Sequence, residues 1–437
     1  MKPRFAYITD DVNNLNKRSL FYYLSERHNI KLITTNNEHE AWGKDNVIVL
    51  SKNKTINDKI KKILFLISAL CNSRFSRLYH KRNLHVRNRF FVNAIHFFKR
   101  FLSKFKLLPS YSFIVKKLYR YDSRFDEIIN DFDVLIFDSL LINTDSFHSL
   151  ISRASNFDNV KLVADIYSWD NVHYSTMTYF ADYYFIWNEE LKKRLINNHP
   201  KMETAKIKYV GVQYMNYLQE LNPVIFDDAQ PYILFAAVYC DEITASVEKK
   251  VAIAIADILK SHFPEIKLYF RPYPSMPKDF YLELYSHEFI DVKEFGVIKK
   301  RYEGHNEFIR VDNSLQDKIN LISNCEAFIS LGSTFTFEVA YLMKPIIQLN
   351  LRENDFSVIR EKVKTADHII SSFLSGGYPN LAMSLPELKD ILNDIVNGEV
   401  EKYLFFSDYL KGFIQLNKGG NFPVFEKRLM EIAQDES

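Results

Sequence analysis

The chain has 437 residues, enough for two or three domains of about 100–200 residues each. Hydrophobic residues make up 47% and charged residues 25%, which excludes a disordered chain. Three widely spaced cysteines, Cys71, Cys240 and Cys325, exclude a disulfide framework and a CxxC metal knuckle, and a reducing, cytoplasmic location is the expectation. The net charge is +3, from 57 Lys and Arg against 54 Asp and Glu.

The N-terminal stretch lacks the apolar core of a signal peptide. Arg4–Thr9 reads as a short buried strand ending at Asp10 and Asp11, followed by a helix from Arg18 to Arg27 and a strand over His28–Thr34. That is a β-α-β opening.

Next comes a block of unusual charge. Lys52–Arg120 holds 18 Lys and Arg and one acid, Asp58, a net of +17, so the rest of the chain carries −14. At about 100° per residue, Phe91, Ile95, Phe98, Leu102 and Phe105 fall within roughly an 80° arc of a helix. Arg89, Arg100 and Lys104 fall opposite, and Lys99 flanks the apolar arc, where its long stem can snorkel. One reading is a peripheral helix on an anionic inner-membrane surface, facing it with Arg89, Lys99, Arg100 and Lys104. The other is an ordinary helix with its apolar face on a core. No run reaches the roughly 18 apolar residues of a spanning helix. No helix-turn-helix, zinc-finger or RNP pattern is present, so nucleic acid is not expected as a partner.

Strands follow at Phe132–Phe137, Val160–Ile166, Tyr179–Ile186 and Ile207–Val210. A polar segment, Glu220–Gln230, then marks a domain boundary. Beyond it the alternation repeats: strand Tyr232–Val238, helix Ser246–Ser261, strands Lys267–Phe270 and Phe308–Val311, helix Ser314–Ser323, strand Ala327–Leu331, helix Thr334–Met343 and strand Pro345–Leu349. Helices near Pro386–Asn397 and Pro423–Ala433 close the chain. The pattern predicts an α/β protein with two Rossmann-like, doubly wound domains facing across a cleft. The expected domains are 1–222 with the basic insert 52–120, and 231–405, with helices in 406–437 packing back across the domain interface.

Ala327–Leu349 is the most informative segment. A strand runs into Gly332-Ser333-Thr334, which opens a helix carrying Glu338, and Lys344-Pro345 starts the next strand. Glycine permits close backbone approach, and hydroxyls with free N–H groups suit a phosphate. Glu338 could accept from the two hydroxyls of a ribose. An ordinary N-cap is the plainer alternative. Arg271-Pro272-Tyr273-Pro274 follows a strand, and its arginine could pair with a phosphate or carboxylate. In the first half, Ser168, Trp169, Asp170 and Asn171 lie just past a strand end, where ligands bind in open α/β sheets. A tryptophan face with a carboxylate and an amide suits a sugar. Asp10 and Asp138 are also strand-end acids. A transfer reaction needs a carboxylate as base or nucleophile, and Asp170 ranks ahead of Asp10 and Asp138 for that role.

On these residues the chain resembles the GT-B glycosyltransferases of bacterial surface polysaccharides. The Gly332–Glu338 frame is similar to the Ser/Thr phosphate-binding motif of transferases that use CMP-activated ulosonic acids. Tyr273 stands where those proteins carry histidine. The succession from Asp165–Asn171 through Trp187-Asn188 to Val210-Gly211 resembles these transferases and their CDP-glycerol glycerophosphotransferase relatives. The resemblance implies a nucleotide-sugar donor held by Arg271, Tyr273, Gly332, Ser333, Thr334 and Glu338. It implies a glycan or polyprenyl-linked acceptor near Ser168, Trp169 and Asn171, for products such as lipopolysaccharide or capsule. It implies no cofactor and no metal. A glycerophosphotransferase or sugar-nucleotide epimerase on the same fold, and a non-catalytic membrane or polyanion-binding module, are the alternatives.

Overall fold

A computed structural model describes residues 2–10, 12, 15–36, 42–51, 123–138, 145–169, 172, 181–198, 202, 205–226, 230–238, 242–273, 276, 278–293, 297–302, 305–309, 314–353, 356–357, 379–414 and 416–435. The basic block with Arg89, Lys99, Arg100 and Lys104, and the candidates Asp170 and Asn171, lie outside the described residues. The chain divides into two compact units, Met1–Asn216 with Gln415–Ser437, and Tyr217–Ile414.

Among its described residues the first unit is built on seven strands: β1 Arg4–Ile8, β2 Asn29–Thr34, β3 Val47–Val49, β4 Val134–Asp138, β5 Lys161–Asp165, β6 Tyr183–Ile186 and β7 Lys206–Tyr209. All pair in parallel, in the order β3-β2-β1-β4-β5-β6-β7. Parallel strands are covered on both faces, so they read as unbroken apolar runs. Phe5, Ala6 and Ile8 are each 0% exposed, as are Val134, Leu135, Ile136 and Phe137. Burying each of the larger ones, the Phe, Ile, Leu and Val side chains, stabilises the fold by roughly 1.5–3 kcal/mol. The chain's last helix, Phe422–Ala433, belongs to this unit: Phe425 meets Phe185 edge-on at 4.7 Å between centroids, and Tyr23 donates to Glu426 at 2.9 Å.

The second unit holds β8 Tyr232–Ala236, β9 Lys267–Arg271, β10 Ile290–Val292, β11 Val297–Tyr302, β12 His305–Ile309, β13 Ala327–Ser330, β14 Ile346–Leu349 and β15 Leu381–Ala382. Six of them form a parallel sheet in the order β10-β9-β8-β13-β14-β15. In both sheets the winding reverses beside the first strand, between β1 and β4 and between β8 and β13. Open α/β sheets bind ligands at such switch points, outside the carboxyl ends of the strands.

One expected element is different. The strand expected over Phe308–Val311 is one arm of a separate antiparallel hairpin, β11 with β12, because its partner is the adjacent Val297–Tyr302 segment rather than the main sheet. The short strands β3, β10 and β15 were not anticipated, and of the helices expected in 406–437 the first, Glu401–Ile414, begins before that range. The helix is anchored in the second unit by Phe413 stacked on Phe337 at 5.6 Å.

Candidate functional site

Each unit presents polar side chains at its own switch point. In the first unit the row starts with Asp138 and Asp165, register partners at the ends of β4 and β5. Paired residues of adjacent strands project to the same face. Lys17, on the helix Leu15–Ser25, places its Nζ 2.9 and 2.8 Å from the two Asp138 oxygens. Thr9, one residue past β1, donates to Asp138 Oδ2 at 2.9 Å. The Lys17 side chain is 5% exposed and that of Asp138 23%, so the carboxylate is the member open to a ligand. The Lys17 ammonium also sits 4.7 Å from the centre of the Tyr167 ring.

Asp165 lies behind this pair, 1% exposed. Its Oδ2 accepts from the Tyr7 hydroxyl at 3.2 Å, while Oδ1 has no hydrogen-bond partner among the described residues. Burial first, and the Asp138 charge second, push the Asp165 carboxyl up to about 7, against the opposing pull of Lys17 and the Tyr7 hydrogen bond. Burial likewise raises the Tyr7 hydroxyl well above its ordinary value. A carboxyl that titrates near neutrality beside a cation-held carboxylate is equipped to store or pass a proton.

Asp10, the other strand-end acid, is hydrogen-bonded to the neighbouring strand end. Its Oδ1 accepts from Thr34 Oγ1, Thr35 N and Thr35 Oγ1 at 3.1, 2.7 and 2.9 Å. These bonds tie the end of β1 to the end of β2. Ser168 is half-buried, and Trp169 is only 7% exposed, which leaves little ring face for a sugar. Tyr167, Tyr214 and Trp187 form the aromatic surroundings beside Lys17, with ring centres 5.4 and 5.6 Å from Tyr214.

In the second unit, β13 delivers the chain into Gly332, whose φ of +96° is a glycine conformation. Gly332 N donates to Ser330 Oγ at 3.0 Å, and Ser330 Oγ is 2.8 Å from Thr336 Oγ1. Ser333 Oγ accepts from Phe335 N at 3.1 Å, and Thr334 caps the seven-residue helix Phe335–Tyr341 without a side-chain cap bond. Arg271 ends β9 and lies over the Phe335 ring at 5.2 Å. Tyr273 is packed against the hydrophobic core. The structure therefore brings Arg271 beside the residue that follows Thr334. Glu338 is 4% exposed and forms an ion pair with Lys318 of the helix Ser314–Ser323.

Lys17, Asp165, Tyr7 and Lys318, which the structure places against the candidate residues, are not singled out by the sequence reading. A lysine on the helix following a strand-end Asp-Asp was the available signal for Lys17. Nothing local marks the others, because their partners are remote in sequence. Among the described residues no group of three or more His, Cys, Asp or Glu side chains could hold a metal ion, and no helix is long and apolar enough to cross a membrane.

No protein-family model matches the chain, and no curated protein matches it. Solved structures do. A Listeria monocytogenes protein assigned as a UDP-N-acetylglucosamine 2-epimerase is similar at a TM-score of 0.52 and 11% identity, over 99% of this chain and 96% of that one. A second UDP-N-acetylglucosamine 2-epimerase is similar at 0.51 and 11%, over 100% and 98%. The glycotransferase of kitacinnamycin is similar at 0.43 and 8%, over 99% of each chain. With two parallel sheets that each reverse beside their first strand, the chain has the α/β fold of two Rossmann-like domains known as GT-B.

Proposed function

We propose that this chain is an enzyme acting on a nucleotide-activated sugar, and that it transfers the sugar to a bacterial surface glycan or a lipid-linked acceptor. The observation that carries the reading is the Lys17–Asp138–Asp165 cluster at the switch point of the first sheet. Asp138, held by Lys17 and Thr9, would take the proton of the acceptor hydroxyl as the new bond forms. Asp165 behind it, with its carboxyl pushed up to about 7, would buffer that charge.

Arg271, Ser333 and Thr334 in the second unit would hold the donor, with a CMP-activated ulosonic acid as the first-named donor and UDP- or GDP-sugars next. The nucleotide sugar is a co-substrate, so the reading requires no cofactor. Cationic groups such as Arg271 can offset charge on a departing phosphate without a metal. The Lys52–Arg120 block would hold the enzyme at an anionic inner-membrane surface, where lipid-linked acceptors are presented.

The fold's likeness to UDP-N-acetylglucosamine 2-epimerases supports a second reading, epimerisation of the sugar nucleotide itself. A paired carboxyl and carboxylate also suit proton removal and return at one carbon. One assay separates the two. The purified chain is incubated with CMP-, UDP- and GDP-sugars, with and without a glycan acceptor, and the products are read by NMR. Donor consumption that requires acceptor is expected. A new epimer formed without acceptor would select the second reading, and neither binding nor turnover would overturn both.

A further inference from the structure

Gln213 is 2% exposed, yet neither end of its amide has a hydrogen-bond partner among the described residues. A buried amide with both Nε2 and Oε1 unmatched costs free energy, because water satisfies both in the unfolded chain. The backbone around it is nevertheless fixed. Asn421 Nδ2 donates to Val212 O at 3.0 Å, and Asn421 N donates to Asn216 Oδ1 at 2.7 Å. The N–H groups of Met215 and Asn216 close the turn on Val212 O and Gln213 O at 3.2 and 3.1 Å. The turn Gln213–Met215 follows β7 at the far end of the first sheet, but it packs against the helix Leu15–Ser25, which follows β1. Segment 211–216 therefore crosses the carboxyl ends of the strands between. Tyr214 marks the crossing, meeting Tyr167 beyond β5 and Trp187 beyond β6. Tyr167 in turn has the Lys17 ammonium 4.7 Å from its ring centre, and Lys17 holds Asp138.

We infer that Gln213 is a sugar-contacting residue of the first unit, whose amide pairs with two neighbouring hydroxyls of the acceptor. The inference rests on the reading of that unit as the acceptor-binding one. An amide offers a donor at Nε2 and an acceptor at Oε1, so it satisfies one hydroxyl that accepts and a second that donates. Rotation about the side-chain torsions presents the amide to a ligand while Asn421 keeps the backbone in place. Tyr167 is half-buried and leaves part of its ring open. Ring, carboxylate and amide, the combination that suits a sugar, are thus drawn from Tyr167, Asp138 and Gln213, which are remote in sequence. The unmatched amide of the free chain becomes discrimination in the complex. A ligand that lacks the hydroxyls leaves Nε2 and Oε1 unpaired and is rejected.

The test uses the full chain. Gln213→Met, which keeps the shape of the side chain and removes both polar ends, is compared with the wild type by urea denaturation without ligand. Methyl glycosides of glucose, galactose, mannose and N-acetylglucosamine are then titrated by ligand-observed NMR, and CMP and UDP by calorimetry. The urea midpoint of Gln213→Met is expected to equal or exceed that of the wild type, because an apolar group there leaves nothing unmatched. Affinity for the best-bound glycoside is expected to fall at least tenfold, while affinity for the better-bound nucleotide changes less than twofold. A clearly lower midpoint would show that the amide serves the fold, through an ordered water for example, and would overturn the inference. Glycoside and nucleotide affinities that change alike would overturn it too. Should Gln213→Met not fold, Gln213→Asn, which keeps the amide but shortens its reach, decides by the same comparison, and an undiminished glycoside affinity overturns the inference. A wild type that binds a nucleotide but no glycoside overturns the inference alone, whereas one that binds neither defeats the enzyme reading itself.

Discussion

Asp138 and Asp165 end adjacent parallel strands in direct register, and among the described residues Asp138 is the one in an ion pair, with Lys17. Lys17 bridges both oxygens of Asp138, and Asp165 is buried, accepting a hydrogen bond from Tyr7. Two neighbouring carboxyls that share one lysine cannot both ionise cheaply. Replacing Lys17 by methionine removes the cation that bridges the Asp138 carboxylate. Because Asp138 is part-exposed, the expected loss is about 2 kcal/mol, below the 3–5 kcal/mol of a fully buried pair. Urea denaturation measures it, and turnover should fall at least 100-fold if Asp138 is the base.

The raised Asp165 carboxyl has a consequence for pH. Its folded value of about 7 lies above the ordinary carboxylate value of 3.8, so the folded state holds a proton that the unfolded state releases. The stabilisation is complete below the unfolded value and is lost as pH rises through about 7. Stability should therefore decline between about pH 4 and pH 7 on account of this group. Asp165→Asn, which cannot ionise, should flatten that decline and raise the stability at pH 8. Thermal melts across the pH range, compared between the two proteins, provide the check. A parallel decline in both would assign the slope to other groups.

The two chain segments where the first unit is left and re-entered are fastened by Asn421. Its N–H donates to Asn216 Oδ1 at 2.7 Å, its Nδ2 donates to Val212 O at 3.0 Å, and its Oδ1 accepts from Asn417 N at 3.0 Å. Gly211 has a φ of +73°, and a Cβ there would lie 2.5 Å from Asn421 Oδ1. Gly211→Ala should cost about 2 kcal/mol or more through the left-handed backbone and the close approach. Asn421→Ala should cost about 3 kcal/mol by stranding several buried groups. The two losses should not add, since both remove the same fastening. Denaturation of the single and double variants tests this.

Cys325 is buried, and burial raises its thiol to about 12. The thiolate is the reactive form. Iodoacetamide at pH 8 should therefore leave Cys325 unmodified in the folded chain and alkylate it in urea. Peptide mapping by mass spectrometry separates this site from Cys71 and Cys240. Labelling of Cys325 without denaturant would mean that the end of the helix Ser314–Ser323 opens readily.

Much of the fold was legible in the sequence because parallel strands are buried on both faces. Arg4–Thr9, Phe132–Phe137, Tyr232–Val238 and Ala327–Leu331 are short apolar runs with polar punctuation, and each became a strand of a parallel sheet. Strands with little apolar signal escaped: β3 has only half-buried or exposed residues, and β15 has two residues in all. The hairpin arm at His305–Ile309 was misassigned because its apolar content does not distinguish a local antiparallel partner from the main sheet.

For the site, sequence alone determined the fold class and the positions where ligands meet such folds, since strand ends and glycine turns are local features. It marked Asp10 and Asp138 alike, both being acids at the end of a buried strand. Only the tertiary structure separated them. Asp10 is consumed by Thr34 and Thr35, whereas Asp138 meets Lys17, 121 residues away in sequence. The same holds for Asp165 and for Lys318. What a charged group does depends on the distance and burial of its partner, and both are set by the order in which the sheet assembles its strands.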